Sequence, residues 1–261
     1  YTEKLSYSYS NATLIIIKSI MRYAKKSKYV QDISDFIDIK LRKRTATKKE
    51  VQRLQNKFLN ADELKSCLHQ LKEITPRIGL AMEFIALTGL RCGELLALRV
   101  QDYYKDKSII NINGTIIKSA RNGEDTQRGT PKNSYSYRDV IINDRAKYIL
   151  DSIILENKKL ASWNSKKYKD KGYIFTTSTG NPFNIQYINT KLRKIKLADK
   201  KISTHIFRHT HISILSELGL PLKSIMQRVG HNDPKTTLSI YTHVTNNMNN
   251  EMKDKLKALS F

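Results

Sequence analysis

The sequence predicts a mainly α-helical protein that carries a small antiparallel β-sheet, an α+β fold. Apolar residues recur at helical spacing over most of the chain, as they do in residues 78–88 and 146–160. Strand-like patterning with frequent isoleucine and valine is confined to residues 108–118 and 137–142. One short block of strands flanked by helical segments is typical of a helical domain with a single small sheet.

The composition favours a polyanionic partner. The 261 residues include 47 Lys+Arg and 24 Asp+Glu, a formal net charge of +23. This surplus fits nucleic acid, although a basic face for anionic lipid or a merely basic soluble protein also fits. The longest early apolar run, residues 14–17, is too short for a membrane span, and two cysteines provide no disulfide framework. We therefore expect a cytoplasmic protein with no membrane partner, and the start at Tyr1 suggests a missing N-terminal portion.

Residues 1–55 predict one amphipathic helix followed by a basic, irregular stretch. The helix is expected at residues 12–24, and residues 41–55 are charged without periodicity, as in an interdomain linker. The predicted inward face of the helix comprises Leu14, Ile17, Ile20, Met21 and Ala24. The basic side chains that fit either a DNA backbone or a solvated surface are Lys25, Lys26, Lys28, Lys40, Arg42, Lys43 and Arg44.

Two predicted helices and an isolated arginine follow. Asn60, with Glu63 three residues later, is a capping-box pattern that predicts the start of a helix. The apolar helix at residues 78–88 ends at Gly89, and Arg91 then precedes another apolar segment. An arginine in this position fits either helix capping or anion binding.

The strand block contains a tight-turn signal. Asn113-Gly114 within the isoleucine-rich stretch predicts a hairpin turn. A third strand is expected at residues 137–142, with Val140 and Ile142 on one face, after a polar loop at residues 121–136.

Two later segments are rich in basic residues. Residues 158–171 contain six lysines and are expected to form an exposed loop or a DNA-facing patch. A helix is expected at residues 185–196, where Lys191, Arg193 and Lys194 either lie against a major groove or are solvated.

The most informative stretch is residues 203–244, which holds five of the six histidines. Its glycines and prolines predict three short helices. His205 and Arg208 are three residues apart and share a helix face, His231 lies at the end of the second helix, and Tyr241 lies on the third. A tyrosine, with a normal pKa of about 10, needs cations or a base to become a nucleophile. An arginine that binds phosphate and a histidine that exchanges a proton fit phosphoryl transfer.

A zinc site is not expected among these histidines. Cys67 and Cys92 are distant in sequence, and no standard ligand spacing occurs. We interpret His209 as a residue that packs or caps a helix, and His211 as one that faces away from the site.

The ordered motifs resemble those of the tyrosine recombinases, the lambda-integrase family, and more narrowly the integrases of phages and conjugative transposons. The matching letters are T-G-L-R-C-G-E-L at 88–95, T-P-K at 130–132, S-Y-R-D-V at 136–140, H-I-F-R at 205–208, G-H at 230–231 and Y at 241. The resemblance implies that the catalytic residues are Arg91, Lys132, His205, Arg208, His231 and Tyr241, with Glu94 as a supporting acid. Lys118 competes with Lys132 for the role of the essential lysine, because the loop before the third strand is longer than in compact family members.

The resemblance also implies a domain organisation. Residues 1–40 would be the C-terminal part of a helical core-binding domain, residues 41–55 a linker and residues 56–245 the catalytic domain. Residues 246–261 would form a tail helix that docks onto a neighbouring protomer.

The implied function is site-specific recombination of a mobile element in a bacterium or phage. The protein would act on double-stranded DNA at recombination sites, as a homo-tetramer with tail exchange. It would be helped by accessory DNA-bending factors and associated with the nucleoid. No cofactor is implied, because the phosphotyrosyl linkage conserves the ester bond, and no metal, because cationic side chains supply the charge. A type IB topoisomerase is the alternative from the same chemistry, and a non-catalytic DNA-binding regulator is the alternative from another class.

Overall fold

The computed structural model describes residues 5, 7–41, 57–118, 126–130, 136–197, 200–231, 234–235, 237–245 and 248, apart from the side chains of residues 8 and 118. Contacts divide the chain into two compact units, Tyr1–Val51 and Gln52–Phe261. Within the described ranges, no helix is both long enough and apolar enough to cross a membrane.

The first unit contains α1 (Tyr7–Lys26) and α2 (Ser34–Ile37). The Lys18 ammonium group joins them by donating to the carbonyl of Ile37 at 2.5 Å. The predicted inward face of α1 is wrong for Ile17 and Ile20, which are 43% and 60% exposed. In the described part of this unit, α2 has only four residues, too few to cover the apolar face of the 20-residue α1.

Asparagine caps and left-handed glycines set the helix boundaries of the second unit. Asn60 accepts a hydrogen bond from the Glu63 amide at 2.8 Å and its own amide donates to the Glu63 carboxylate, so the predicted capping box is confirmed. Gly89 and Gly230, with φ of 71° and 69°, each end a helix. The helices are α3 (Ala61–Ile74), α4 (Pro76–Thr88), α5 (Cys92–Ala97), α6 (Asp144–Trp163), α7 (Ile185–Leu192), α8 (Thr204–Glu217) and α9 (Leu222–Val229), and residues 237–245 are also helical.

Among the residues that the structure describes, five strands form two small antiparallel sheets. They are β1 (Tyr103–Tyr104), β2 (Ile109–Ile112), β3 (Thr115–Lys118), β4 (Gln127–Gly129) and β5 (Arg138–Ile141). One sheet has the order β1-β2-β5, with Ile110 opposite Val140, and β3 pairs with β4 in the other.

The hairpin predicted at Asn113-Gly114 is therefore wrong, because β2 and β3 belong to different sheets. The Asn113 side chain donates to the Asp102 carboxylate at 2.7 Å and accepts from the Arg128 guanidinium. That guanidinium occupies the space where a Cβ of Gly114 would lie. These contacts hold the two residues as a link between sheets, and the glycine is needed for close packing.

The end of α7 also differs from the prediction. A helix was expected to continue to residue 196, but α7 ends at Leu192, and Arg193 and Lys194 lie in the following turn. The amide of Ile195 bonds back only three residues, to Leu192, and the Ile195 side chain is buried. Burial of this isoleucine requires the chain to turn before the helix can extend.

The core of the second unit surrounds α4, which packs against α3 and α8. The rings of Phe84 on α4 and Phe175 lie 5.3 Å apart, and both are fully buried. Val140 and Ile142 are buried, which confirms their predicted common face. A second apolar cluster joins α8, α9 and residues 237–245 and consists of Ile212, Ile225, Val229, Ile240 and Val244.

Replacement of Asn60 tests the capping box. We expect Asn60→Ala to lower the free energy of unfolding by about 1 kcal/mol, because the Glu63 amide loses its acceptor. Urea unfolding measures this difference. Asn60→Ser is the matched control, since serine retains a capping oxygen. Equal losses in the two variants would show that the cap does not stabilise α3.

Candidate active site

Two helix ends and the face of a third helix meet around Arg208. This α8 residue is 2% exposed, and its guanidinium donates to the carbonyl of Gly89, at the end of α4, and to that of Val229, at the end of α9, the latter at 2.6 Å. Helix-terminal carbonyls have no intrahelical donor, so the cation satisfies groups that would otherwise be unpaired. Arg208 thereby holds the two loops that carry Arg91 and His231.

Arg91 is the more accessible of the two arginines. Its guanidinium donates to the Gly230 carbonyl and to Glu94, both at 2.6 Å, and its backbone amide donates to the other Glu94 oxygen at 3.0 Å. The side chain is nevertheless 36% exposed. Arg91 is therefore fixed in orientation while part of its guanidinium faces solvent.

Arg138 on β5 completes this network, although sequence reasoning assigned it no role. Its guanidinium donates to Glu94 at 2.9 Å, to the Arg228 carbonyl at 2.7 Å and to the Ser136 carbonyl at 3.0 Å. The side chain is 8% exposed. The available signal was its position, since Arg138 alternates with Val140 on the buried face of the strand.

The cluster carries a surplus of positive charge. Glu94 is buried, yet Arg138 and Arg91 outweigh its desolvation and lower its pKa. Burial and the charge of Arg91 lower the pKa of Arg208 to about 9, which still leaves the guanidinium protonated at neutral pH. Three guanidiniums thus face one carboxylate, and this imbalance favours a bound anion.

Two histidines border the arginines. Partial desolvation, Arg208 and Arg91 lower the pKa of His205, which lies one turn before Arg208 on α8. Burial and the same two cations lower the pKa of His231 to about 3. The Nδ1 atom of His231 lies 2.5 Å from the Thr237 hydroxyl. Both imidazoles are therefore neutral at neutral pH.

Tyr241 lies on the helical segment that carries Thr237, the residue in contact with His231. It is half-buried and packs against the apolar cluster of α8 and α9. Thr237, the partner of His231, lies four residues earlier on the same segment. Residues at this spacing share a helix face and are separated by about 6 Å along its axis. The structure thus brings together Arg91, Glu94, Arg208 and His231, and it connects Tyr241 to them through Thr237.

The remaining predicted site residues are either outside this cluster or outside the described residues. Lys132, Arg42, Lys43 and Arg44 are outside the described residues, as is the side chain of Lys118. Lys25, Lys26, Lys28 and Lys40 are exposed in the first unit. Lys191 lies over the Tyr187 ring, 5.0 Å from its centroid.

His211 supports the loop that carries Arg91. Its Nδ1 lies 2.8 Å from the Ala86 carbonyl, and its Nε2 accepts from Arg228 at 3.0 Å, so it is the neutral Nδ1-H tautomer. Burial and Arg228 lower its pKa to about 3. A Cβ at Gly89 would lie 2.5 Å from the imidazole, so this glycine is required for the close approach. No group of three or more potential metal ligands occurs in the described ranges.

The chain belongs to the phage integrase family, whose model matches residues 57–248. The resemblance predicted from the motifs is thereby confirmed. The integrase of Staphylococcus phage L54a is 37% identical over 259 residues, which cover 94% of this chain and 73% of that protein. The probable integrase of prophage ps2 from Lactococcus lactis is 40% identical over 225 residues, which cover 83% of this chain and 58% of that protein. The chain thus spans about half to three quarters of such relatives.

Solved structures confirm the fold class. The Tn1549 transposon integrase in complex with transposon right end DNA superposes with a TM-score of 0.70 at 19% identity, over 98% of this chain and 81% of that one. A lambda integrase dimer bound to a COC′ core site gives a TM-score of 0.56 at 13% identity, over 87% of this chain and 71% of that one. The helical architecture with small antiparallel sheets is therefore that of tyrosine recombinases.

Removal of Arg138 should destabilise the second unit strongly. We expect Arg138→Ala to lower the free energy of unfolding by about 3 kcal/mol, because Glu94 remains buried with an incomplete set of partners. Adding Glu94→Gln should restore part of this loss, since it removes the buried charge. The matched control is Arg145→Ala, which breaks the ion pair between Glu83 and an arginine side chain that is 44% exposed. This variant should lower the free energy of unfolding by less than about 1 kcal/mol. Equal losses for the two arginines, measured by urea unfolding, would contradict the buried-network interpretation.

His211 should make stability depend on pH. Its folded pKa of about 3 lies below the unfolded value of about 6.5, so only the unfolded chain takes up a proton as the pH falls through this range. The free energy of unfolding should therefore decrease by about 2 kcal/mol from this residue between pH 6.5 and 5. His211→Gln, which cannot titrate, should reduce the dependence by that amount in urea titrations. His69→Gln, at an exposed position of α3, is the control. An unchanged pH dependence of the free energy of unfolding in His211→Gln would refute the assignment of the low pKa to His211.

Proposed function

We propose that this protein is a site-specific DNA recombinase that integrates and excises a mobile element. The observation that carries the proposal is the fixed cluster of Arg91 and Arg208 beside two neutral histidines and the segment bearing Tyr241. Such a group can hold a scissile phosphate and present a hydroxyl nucleophile to it.

The proposed reaction exchanges one phosphodiester for another. The Tyr241 oxygen attacks the phosphorus, a 3′-phosphotyrosyl bond forms, and the bond to the 5′ oxygen breaks. His205, neutral because of its lowered pKa, accepts the phenolic proton. Lys132, which lies outside the described residues, donates a proton to the leaving 5′ oxygen. Reversal with a different 5′ hydroxyl completes strand exchange, and no nucleotide energy source is required.

The arginines stabilise charge on the non-bridging oxygens. A guanidinium has five N–H donors, and the side-chain bonds of Arg91 to Glu94 and Gly230 leave others for phosphate. Arg208 contributes charge from a buried position. His231 has its Nδ1 next to Thr237, which leaves Nε2 for a hydrogen bond to the phosphate.

Related structures support double-stranded recombination-site DNA as the substrate. The Tn1549 integrase was solved with transposon right end DNA, and XerH with its difH substrate. We extend to this chain a core-binding segment at residues 1–40, a linker at 41–55, a catalytic domain at 56–245 and an exchanged tail at 246–261. The proposed assembly is a homo-tetramer on DNA, with accessory DNA-bending factors, in the bacterial cytoplasm at the nucleoid. The residues that would contact DNA are Lys25, Lys26, Lys28, Lys40, Arg42, Lys43, Arg44, Lys191, Arg193 and Lys194.

Covalent trapping tests the nucleophile. A nicked suicide substrate should give a protein–DNA band that survives denaturing electrophoresis and disappears on protease treatment. Tyr241→Phe should abolish the band, because it removes the attacking oxygen while the ring keeps its apolar packing. Tyr187→Phe, at an exposed α7 tyrosine, is the matched control and should retain it.

A covalent band that persists in Tyr241→Phe would overturn the assignment of the nucleophile. Strand exchange between two duplexes separates a recombinase from a type IB topoisomerase, which reseals the strand that it cut. Sequence-specific binding with no covalent product from any nicked substrate would instead identify a regulator.

A further inference from the structure

Trp163 is the only tryptophan of the chain, and it is 87% exposed at the end of α6. A large aromatic side chain gains free energy from burial, so an exposed tryptophan provides an apolar surface that a bound partner could cover. Lys159 precedes it by one turn, and Leu155, 55% exposed, precedes Lys159 by another. These three side chains follow one another on one face of α6.

The surroundings of Trp163 are strongly basic. Exposed lysines flank it on both sides, and the ion pairs of the described residues include none of them. The last turn of α6 itself contains no basic residue, so these lysines lie one turn before it and in the turn that follows the helix. The free lysines are Lys158, Lys159, Lys166, Lys167 and Lys169, and with Trp163 we call them the Trp163 patch.

Backbone contacts fix the turn that presents the patch. The amides of Lys167 and Tyr168 donate to the Asn164 carbonyl, at 2.9 and 2.8 Å, and the amide of Lys169 donates to the Thr179 carbonyl at 2.9 Å. Gly180, with φ of 81°, allows the turn at residues 177–180 to lie against the Lys169 carbonyl. A preformed surface loses little conformational entropy when it binds a partner.

We propose that the Trp163 patch is a second DNA-contacting surface, separate from the arginine cluster, which binds the backbone of duplex DNA that flanks the cleavage site. This inference rests on the proposed recombinase function. Unpaired lysines supply the charge that neutralises phosphates, and Trp163 supplies an aromatic face for a sugar or base edge. No hydrogen bond or ion pair of the described residues joins the patch to Arg91, Glu94, Arg138 or Arg208.

Trp163 is its own reporter, because all tryptophan fluorescence of the chain comes from it. The experiment uses the full chain with Tyr241→Phe, so binding is measured without cleavage, and a duplex of about 40 base pairs of random sequence at low salt, because phosphate neutralisation is sequence-independent. At saturation, judged by anisotropy of labelled DNA, the acrylamide quenching constant of Trp163 should fall about twofold or more. An unchanged constant would overturn the proposal.

Lysine variants test the electrostatic part. Lys166→Gln/Lys167→Gln should reduce the slope of log Kd against log salt concentration by about 1 to 2 and abolish the protection of Trp163. Lys65→Gln/Lys107→Gln removes two exposed lysines elsewhere and should leave both properties unchanged. Equal slope changes in the two double variants would show that the patch has no special role.

Covalent trapping with Tyr241 intact keeps the two hypotheses apart. A protein that forms the phosphotyrosyl band but leaves Trp163 unprotected refutes only the Trp163 patch. A protein that protects Trp163 but forms no band with any nicked substrate refutes only the recombinase function.

Discussion

One buried guanidinium, that of Arg208, links the helix ends that form the candidate active site. Arg208 has lost almost all of its water, and an isolated buried cation would be unfavourable by several kcal/mol. Its compensation comes from the carbonyls of Gly89 and Val229, which end two helices and have no intrahelical donors. The guanidinium supplies hydrogen-bond donors to these carbonyls, and the carbonyls replace the water that the guanidinium has lost. Docking of α4 and α9 on α8 therefore assembles the anion site in the same step that forms this part of the core.

The excess of positive charge has a second effect. The guanidiniums that attract a phosphate also oppose protonation of His205 and His231, since a further positive charge beside them is unfavourable. The cations thus keep the neighbouring bases neutral, and in the proposed reaction they would also bind the scissile phosphate. Glu94 limits the repulsion between Arg91 and Arg138 without cancelling it, and this balance preserves affinity for an anion.

Local signals in the sequence predicted much of the fold and of the site. The capping box at Asn60, the glycine that ends α4 and the order of the motifs depend on neighbouring residues, which a single sequence displays. Arg138 escaped prediction because its partners, Glu94 and Arg228, lie 44 and 90 residues away.

The two wrong predictions about local structure also result from contacts between residues that are distant in sequence. Asn113-Gly114 carries a true turn signal, but Arg128 determines that the chain links two sheets there. The early end of α7 follows from burial of Ile195, which is a tertiary requirement that helical periodicity does not contain. Local propensity determines the backbone structure where such tertiary contacts are absent, and side-chain packing determines it where they are present.

The contact between His231 and Thr237 couples the orientation of the His231 imidazole to the position of the helical segment that bears Tyr241. Thr237 and Tyr241 belong to one short helical piece, so a displacement of Tyr241 would also move the hydroxyl that contacts the His231 imidazole. In the proposed reaction, such a protomer would lose nucleophilic attack and the phosphate contact of His231 together. In the proposed recombinase, which must not leave DNA broken, this hydroxyl–imidazole contact would disfavour cleavage by an incompletely assembled site.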